Sequence, residues 1–313
     1  MIIPTRSRSQ LLALTLHSAL GQRGVELEII VVDDASTDDT LAMIAAVGDP
    51  RVRVISNHTA GGVSAARNRG IDEAAGRWVA FLDDDDLWAP DKLALQLDAA
   101  RAAGSTWVYA GDVSIDDSLR VLSGAPPPPP EEVLAGLVRY NAVPAGASNV
   151  VVTAEALADA GPFDERLRKI EDWDMWIRLA RLGPPSYDPR PLLAYRIHGG
   201  NAAVDLEPIV DEPAVLASRY GALPDRAAMH RRAAWTALRA GRRARALRHY
   251  GRAIAMGDLK SLGRAAVGVL WAGNSRSLLR LAGKGDDHRD YRSEAQAWID
   301  PFMSTAGRQG TGQ

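Results

Sequence analysis

The chain contains no cysteine. This excludes disulfides, zinc held by thiolates and thiol nucleophiles, and it suits a reducing cytosol. Charge imbalance is also lacking: 37 Lys and Arg stand against 39 Asp and Glu, a net -2 at pH 7. The chain as a whole therefore gives no argument for nucleic-acid binding. No basic segment followed by a long apolar stretch opens the sequence "MIIPTRSRSQ", so a secretory leader is not expected. No window approaches the roughly 18–20 uncharged apolar residues of a membrane span. A soluble, cytoplasmic protein is the expectation. No GxGxxG follows a strand, which disfavours a dehydrogenase. What is present is 313 residues, 46% of them hydrophobic. That is enough for a substantial core and, at roughly 100–200 residues per domain, for one large domain with an appendage or for two domains.

Short apolar runs alternate with helical patterns through the first part of the chain. "MII", "EIIVVDD", "RVRVI", "WVAFL" and "WVYAGDVSI" read as strands, and the β-branched ones suit burial on both faces of a sheet. Between them "LLALTLHSALGQ", stopping near Gly21, "DTLAMIAAV", capped by Thr37 or Asp38 and ending at Gly48, and "GVSAARNRGIDEAAG", closed by Gly76, read as helices. This alternation predicts an open α/β sheet, with ligands at the carboxyl ends of strands, where Asp33, Asp34 and Asp83 to Asp86 fall. "APPPPPEE", Ala125 to Glu132, predicts an extended surface loop. "SNVVVTAEAL" reads as a strand into a helix, "EDWDMWIRLARLG" as a helix with acids in its first turn, and "LLAYRIHGGN" as a last strand entering a Gly-rich loop. Beyond about Asp205 the pattern is mostly helical, and Asp258 is the only acid between Arg226 and Lys284.

Four adjacent carboxylates, Asp83 to Asp86, repel one another and raise each other's pKa. A divalent cation relieves this. On an extended backbone Asp83 and Asp85 point the same way and can share one hard ion, Mg²⁺ or Mn²⁺, whose other positions go to water or phosphate. A solvated acidic turn is the plainer reading. An EF-hand does not fit, because Leu87 and Trp88 stand where that loop needs an oxygen ligand and a glycine. "GGVSAARNRG" places Arg67 and Arg69 near a helix start, which suits phosphate as well as a plain surface helix. The acids of "IEDWDMW" complement a helix dipole whether or not they act chemically.

The ordered set "IIPT", "VVDDAS", "GVSAARNRG", "FLDDDDLW", "GPFDERLRKIEDWDMWIRL", "YRIHGGN" resembles that of the family 2 inverting glycosyltransferases, over about residues 2 to 201. The resemblance implies a GT-A fold: a mostly parallel central sheet flanked by helices, here with an added C-terminal helical region. Residues 1–110 would form the nucleotide-sugar-binding half, 111–204 the acceptor-binding half, and 205–313 the helical region with a disordered tail after about Gly307. It further implies that Pro4, Thr5, Arg6, Asp33, Asp34 and Arg67 hold the nucleotide. Asp83 and Asp84 would lie near the sugar nucleotide, and Asp85 would chelate Mn²⁺ or Mg²⁺, with His198 completing the metal site or touching the diphosphate. Asp172 would be the base, with Glu171 and Trp173 lining an acceptor pocket. An aspartate with a reference pKa of about 3.9 is ionised at neutral pH, so no large shift is expected of Asp172. The implied partners are a nucleoside-diphosphate sugar, UDP-linked by expectation, and a carbohydrate or glycoconjugate acceptor. The resemblance departs at the start, where only Met1 precedes Ile2, so that either the first strand is truncated or the start assigned to the sequence is late.

Two other functions are weighed against this. A sugar nucleotidyltransferase uses a similar sheet and Mg²⁺, but "IIPTRSRSQ" lacks the glycines such enzymes carry after the first strand. A non-catalytic nucleotide-sugar-binding protein needs neither Asp85 nor Asp172. In the C-terminal third, "AAWTALRAGRRARALRHYGRAIAMGD" reads as two helices joined at Gly241, somewhat like a tetratricopeptide hairpin. Its arginine face suits either an anionic membrane surface at the inner face of the membrane, a polyanionic acceptor, or packing on a catalytic domain or second subunit. "LKSLGRAAVGVLWAGNSRSLLRLAG" could lie in a lipid interface.

Overall fold

The computed structural model describes residues 1–198, 212–221, 224–239, 242–259, 261–263, 265 and 288–309. The apolar runs at the start form β1 (Ile2–Thr5), β2 (Ile29–Asp33) and β3 (Val52–Ser56), a three-stranded parallel sheet in that order. Every residue of β1 and β2 is buried, as continuous β-branched runs require. Their register pairs Thr5 with Asp33, so the "PT" and "DD" segments leave the sheet side by side. Around it lie α1 (Ser9–Leu20), α2 (Thr40–Val47) and α3 (Val63–Glu73). Asp38 Oδ1 accepts from the Thr40 N–H at 3.1 Å at the start of α2, and Gly48 closes that helix at φ 63°. Gly70 in α3 faces Ile2 so closely that a Cβ there would stand 2.5 Å from the isoleucine Cγ2. Only glycine lets this helix lie on β1.

The second sheet is mixed. Its strands are β4 (Trp78–Ala80), β5 (Leu87–Trp88), β6 (Trp107–Ile115), β7 (Val121–Ala125), β8 (Val151–Thr153) and β9 (Ser186–Arg196). The order is β4-β8-β6-β9-β5, with β7 on β6. The β6–β9 pair is parallel, and the other pairs are antiparallel. A parallel bridge from Ile2 to Phe81 and the Leu82 N–H to Ile2 O bond, 3.0 Å, join the two sheets beside the acidic tetrad. Helices α4 (Lys92–Ala103), α5 (Pro130–Leu137), α6 (Ala154–Ala160) and α7 (Glu171–Leu182) complete this part.

The proline run differs from expectation at both ends. Ala125 finishes β7, and Pro130, Glu131 and Glu132 form the first turn of α5. Proline is tolerated there because the first helical N–H groups have no intrahelical partner.

Contacts divide the chain into two compact units. The first comprises Met1–Leu137, Asn141–Arg196 and Asp290–Gln313, and the second Val138–Tyr140 and Ile197–Arg289. The division at Asp205 expected from composition thus leaves out one element, α11 (Arg289–Gln309) in this numbering, nearly all of which belongs to the first unit. Ala295, Ile299 and Phe302 of α11 pack with Leu14, Leu87, Val113, Ile115 and Ala194. Burial of Ile299 and Phe302 contributes about 3–6 kcal/mol before the entropy of ordering the helix is subtracted. Gln296 Oε1 accepts from the Val121 N–H (2.9 Å), and Trp298 Nε1–H donates to Pro191 O (2.8 Å).

The second unit holds α8 (Pro213–Tyr220), α9 (Arg226–Arg239) and α10 (Arg243–Ala255). Helices α9 and α10 pack through Ala234, Ala237, Leu238, Ala246 and Tyr250, as the two-helix reading expects. Gly241, most of the segment expected at a lipid interface, the Gly199–Asn201 loop and the last four residues lie outside the described residues. Among the described residues no helix is long and apolar enough to cross a membrane.

Candidate active site

The acidic tetrad follows β4 as a turn and not as an extended strand. The Asp86 N–H donates to Asp83 O at 3.2 Å. Asp83 and Asp85 therefore do not share one direction. Asp83 Oδ1 accepts from Arg67 Nη2 (2.7 Å), while Asp85 Oδ2 accepts from Arg8 Nη1 (3.0 Å), which also reaches Asp84 Oδ1 (2.9 Å). Thr5 Oγ1–H donates to Asp84 Oδ2 at 2.7 Å and fastens the tetrad to the end of β1.

Repulsion within the tetrad is relieved partly by the chain itself. Burial raises the Asp84 pKa to about 6, reinforced by the charge of Asp85 and opposed by Arg8 and Thr5. Asp86 is fully buried, and that burial, with the charges of Asp85 and Asp83, raises its pKa well above the usual carboxylate range. Its Oδ1 accepts from the Arg196 N–H at 3.0 Å.

The nucleotide-side residues gather at the end of the parallel sheet. Pro4 and Thr5 end β1 and are buried, and Arg6 after them is exposed. Asp33 ends β2, and its Oδ1 accepts from the Ser36 N–H at 3.2 Å. Asp34 is engaged by the glycine loop: Oδ1 accepts from Asn57 Nδ2 (3.0 Å) and Gly61 N–H (2.9 Å), and Oδ2 from Gly62 N–H (2.8 Å). Burial opposes its charge, but these donors outweigh it and leave the pKa below the usual value. Ser7 (φ 51°), Ala35 (φ 59°) and Ala145 (φ 51°) hold left-handed backbone in the three loops that carry site residues. Strain of this kind, on the order of 1–3 kcal/mol each, persists only where surroundings over-determine it.

Arg67 joins the two acidic motifs. It is 3% exposed, with Nη1 donating to Glu171 Oε1 (2.9 Å), Nη2 to Asp83, and its guanidinium 5.5 Å from the Phe163 ring centre. Burial opposes its charge, and Asp83, Glu171 and Asp172 overcome that and hold it protonated. Its two terminal nitrogens thus face carboxylates, not the open position expected of a phosphate ligand. Arg69, two residues on, is exposed.

At the start of α7 the three residues diverge, because each helical step turns the side chain by about 100°. Glu171 is buried against Arg67. Trp173 is 1% exposed and donates Nε1–H to Leu137 O (2.7 Å), so its ring packs in the core. Asp172 keeps partial exposure between them. Its Oδ1 accepts from the Trp173 N–H (2.7 Å) and its Oδ2 from Asn141 Nδ2 (2.8 Å). Desolvation and then the Glu171 charge raise its pKa to about 7, against the pull of Arg67, the Trp173 N–H and Asn141. The expectation of an unshifted carboxylate is therefore corrected.

Sequence reading missed Arg8, Asn141 and Ser148, whose Oγ accepts from the Asp83 N–H at 3.0 Å. Arg8 stands in the same motif as Thr5, but its partners are 76 and 77 residues away. Nothing local marks Asn141.

Among the described residues no three His, Asp or Glu side chains form a ready metal cage. The oxygen donors fit a hard ion needing few protein ligands: Asp85 is buried next to a second carboxylate whose proton affinity its charge raises. His198 falls two residues beyond β9, in the second unit.

The model of glycosyl transferase family 2 matches residues 1–134. A putative teichuronic acid biosynthesis glycosyltransferase, TuaG of Bacillus subtilis, is 30% identical over 203 residues, 63% of this chain and 78% of that protein. The succinoglycan biosynthesis protein ExoO of Rhizobium meliloti is 48% identical over 115 residues, 35% of this chain, and that match spans only 32% of ExoO. Among solved structures, S. aureus TarS 1-349 in complex with UDP-GlcNAc has a TM-score of 0.56 at 18% identity, covering 100% of this chain and 91% of that one. The mannosyltransferase PcManGT from Pyrobaculum calidifontis, in complex with GDP-Man and Mn²⁺, has a TM-score of 0.55 at 19% identity, covering 100% and 87%. The chain has the fold of the GT-A glycosyltransferases. It belongs to glycosyl transferase family 2.

Proposed function

We propose that the chain moves a sugar from a UDP-sugar to an acceptor hydroxyl of a carbohydrate or glycoconjugate, with inversion, in polysaccharide or cell-envelope glycan synthesis. One observation carries this reading: a single buried guanidinium, Arg67, ties the acidic turn to the helix start bearing Asp172. This supports donor-side and base-side carboxylates acting in one site. The ligands named for TarS and PcManGT, nucleoside-diphosphate sugars in both, support the donor class.

In the proposed reaction the acceptor oxygen forms a bond to the anomeric carbon as the carbon–diphosphate bond breaks. The electron pair leaves with the diphosphate, and the acceptor proton passes to Asp172. Pro4, Thr5, Arg6, Asp33, Asp34, Asp83 and Asp84 surround the nucleotide sugar. Asp85 would hold Mn²⁺ or Mg²⁺. A bound divalent ion supplies charge stabilisation to the departing diphosphate.

A panel of sugar nucleotides assayed for diphosphate release, with and without Mn²⁺, tests the reading. UDP-sugars are expected to react in a metal-dependent way, and Asp85→Ala to lose both metal dependence and at least about 100-fold in rate. Release from no donor, or undiminished metal-dependent release by Asp85→Ala, would overturn it.

The second unit is the proposed point of peripheral contact with an anionic bilayer. Arg242, Arg243, Arg248 and Arg252 of the α10 segment are exposed, as are Leu247, Met256, Leu259 and Leu262. A polyanionic glycan would use the arginines alone, whereas a bilayer uses both sets. The full chain should float with phosphatidylserine-containing vesicles, not with neutral ones, and be released by high salt. Equal flotation with neutral vesicles, or none with either, contradicts the contact.

A further inference from the structure

We propose that Asn141 is a positioning residue of the transfer reaction, its side-chain amide holding Asp172 as the proton-accepting carboxylate. The inference rests on Asp172 being the base.

Three observations carry it. First, Asn141 Nδ2 donates to Asp172 Oδ2 at 2.8 Å, while the Trp173 N–H donates to Oδ1 at 2.7 Å. Each carboxylate oxygen has one donor from the protein, so the plane of the group is set and a lone pair on each oxygen is left for the incoming proton.

Second, the loop that presents Asn141 is anchored on both sheet and turn. Asn149 exchanges hydrogen bonds with the backbone of Ala110, Oδ1 accepting at 3.0 Å and Nδ2 donating at 2.6 Å, and its Nδ2 also donates to Pro144 O at 3.1 Å. Ser148 accepts from Asp83 through Oγ, and its carbonyl accepts from Trp88 Nε1–H at 2.9 Å. Between these anchors and Asn141, Gly146 at φ 61° passes so close that a Cβ would stand 2.8 Å from Asp172 Oδ2. The loop is shaped around that oxygen.

Third, Asn141 Oδ1 is buried and has no hydrogen-bond partner. Buried polar atoms without a partner are rare and call for an explanation. An amide offers a donor to an ionised carboxylate and, turned over, an acceptor to a protonated one. Asn141 can thus face Asp172 before and after proton transfer, and its orphaned oxygen is the second half of that arrangement. A cationic side chain in its place would hold the anion too strongly, and an apolar one would leave it unsupported.

The charged groups facing Asp172 are Glu171 and Arg67, and the two hydrogen-bond donors to it are the Trp173 N–H and Asn141. A donor to the charged form stabilises that form. Without the amide, the carboxyl should therefore hold its proton to higher pH.

The test uses the full chain labelled with ¹³C at the aspartate carboxyl carbon, the Asp172 resonance being identified by its loss in Asp172→Asn. In parallel, the pH–rate profile of diphosphate release is recorded with the sugar nucleotide that reacts fastest and water as acceptor. In the unaltered chain the carboxyl should titrate near pH 7. Asn141→Ala should move the midpoint up by about one unit, lowering the rate at pH 6 about tenfold and the rate at pH 9 far less. Asn141→Asp, nearly isosteric and adding a negative charge, should move it further, and it serves if the alanine variant does not fold. If the resonance and the acid limb of the rate stay within about 0.3 unit of the unaltered chain, Asn141 is not a positioning residue. If the resonance moves and the rate limb does not, or if Asp172→Asn keeps full turnover, then Asp172 is not the base and the inference falls with that reading.

Discussion

Asp172→Asn should lower sugar transfer by about 10²–10⁴-fold, the range that a positioned general base contributes, while leaving UDP affinity within about twofold. The substitution is nearly isosteric, keeps α7 and removes only the ability to take a proton. The donor contacts proposed above lie on other elements: the ends of β1 and β2 and the turn after β4. Titration calorimetry with UDP and Mn²⁺ separates the two effects. A variant that binds UDP normally and transfers sugar at the original rate would remove Asp172 from the chemistry.

As the proposed base, the same residue predicts a pH dependence. Its pKa is raised to about 7, first by desolvation and then by the charge of Glu171. The reactive form is the anion, so the rate should rise as pH rises through 7 and fall about tenfold per unit below it. If donor binding rests on the other carboxylates, as proposed, it should follow a different pH profile.

The parts of the fold legible in the sequence were those specified locally. Continuous β-branched runs such as "IIVV" can be buried only between layers, and β1 and β2 are. Glycine at position 48 announced a helix end, and the backbone turns left-handed there. What could not be read depends on partners distant in sequence. The two residues of β5 are strand only because they pair with Leu193 and Ala194 of β9. The amphipathic sequence of α11 does not say which unit will cover its apolar face.

The candidate site divides in the same way. Acid-rich strand ends and the "ED" helix start mark where chemistry gathers, because unpaired carboxylates are unfavourable in a core. Which side chains balance them is a matter of long-range geometry. Four aspartates in a row suggested an external cation or a solvated turn as the remedy. The structure adds Arg8 and Arg67 and holds Asp86 in an environment that favours its neutral form. Trp173 shows the same limit: the resemblance placed it beside Asp172 at an acceptor pocket, and one helical step carries its ring into the core.

Arg67→Met should be the most destabilising single change at the site. The methionine keeps much of the aliphatic stem against Phe163 but removes the charge between Asp83 and Glu171, whose carboxylates lie 2.7 and 2.9 Å from the guanidinium. Glu171 is 7% exposed, so its charge is left with little solvent to compensate it. Breaking a buried pair by removing one partner typically costs about 3–5 kcal/mol. For a unit of this size that corresponds to a fall in melting temperature on the order of 10 °C. The effect should change little with salt, since the group lies away from mobile ions. Arg67→Lys should recover only part of the loss, because a single ammonium cannot reproduce the fork that spans two carboxylates. Removing the positive charge should also raise the proton affinity of Asp172, to which Arg67 is the chief opposing charge. Activity measured well below the melting transition should then require higher pH in both variants, more so in the methionine one. Calorimetric melting of the three proteins at low and high salt checks the stability claim. A methionine variant melting within about 2 °C of the unaltered chain would mean that Arg67 is not what holds the two acidic motifs together.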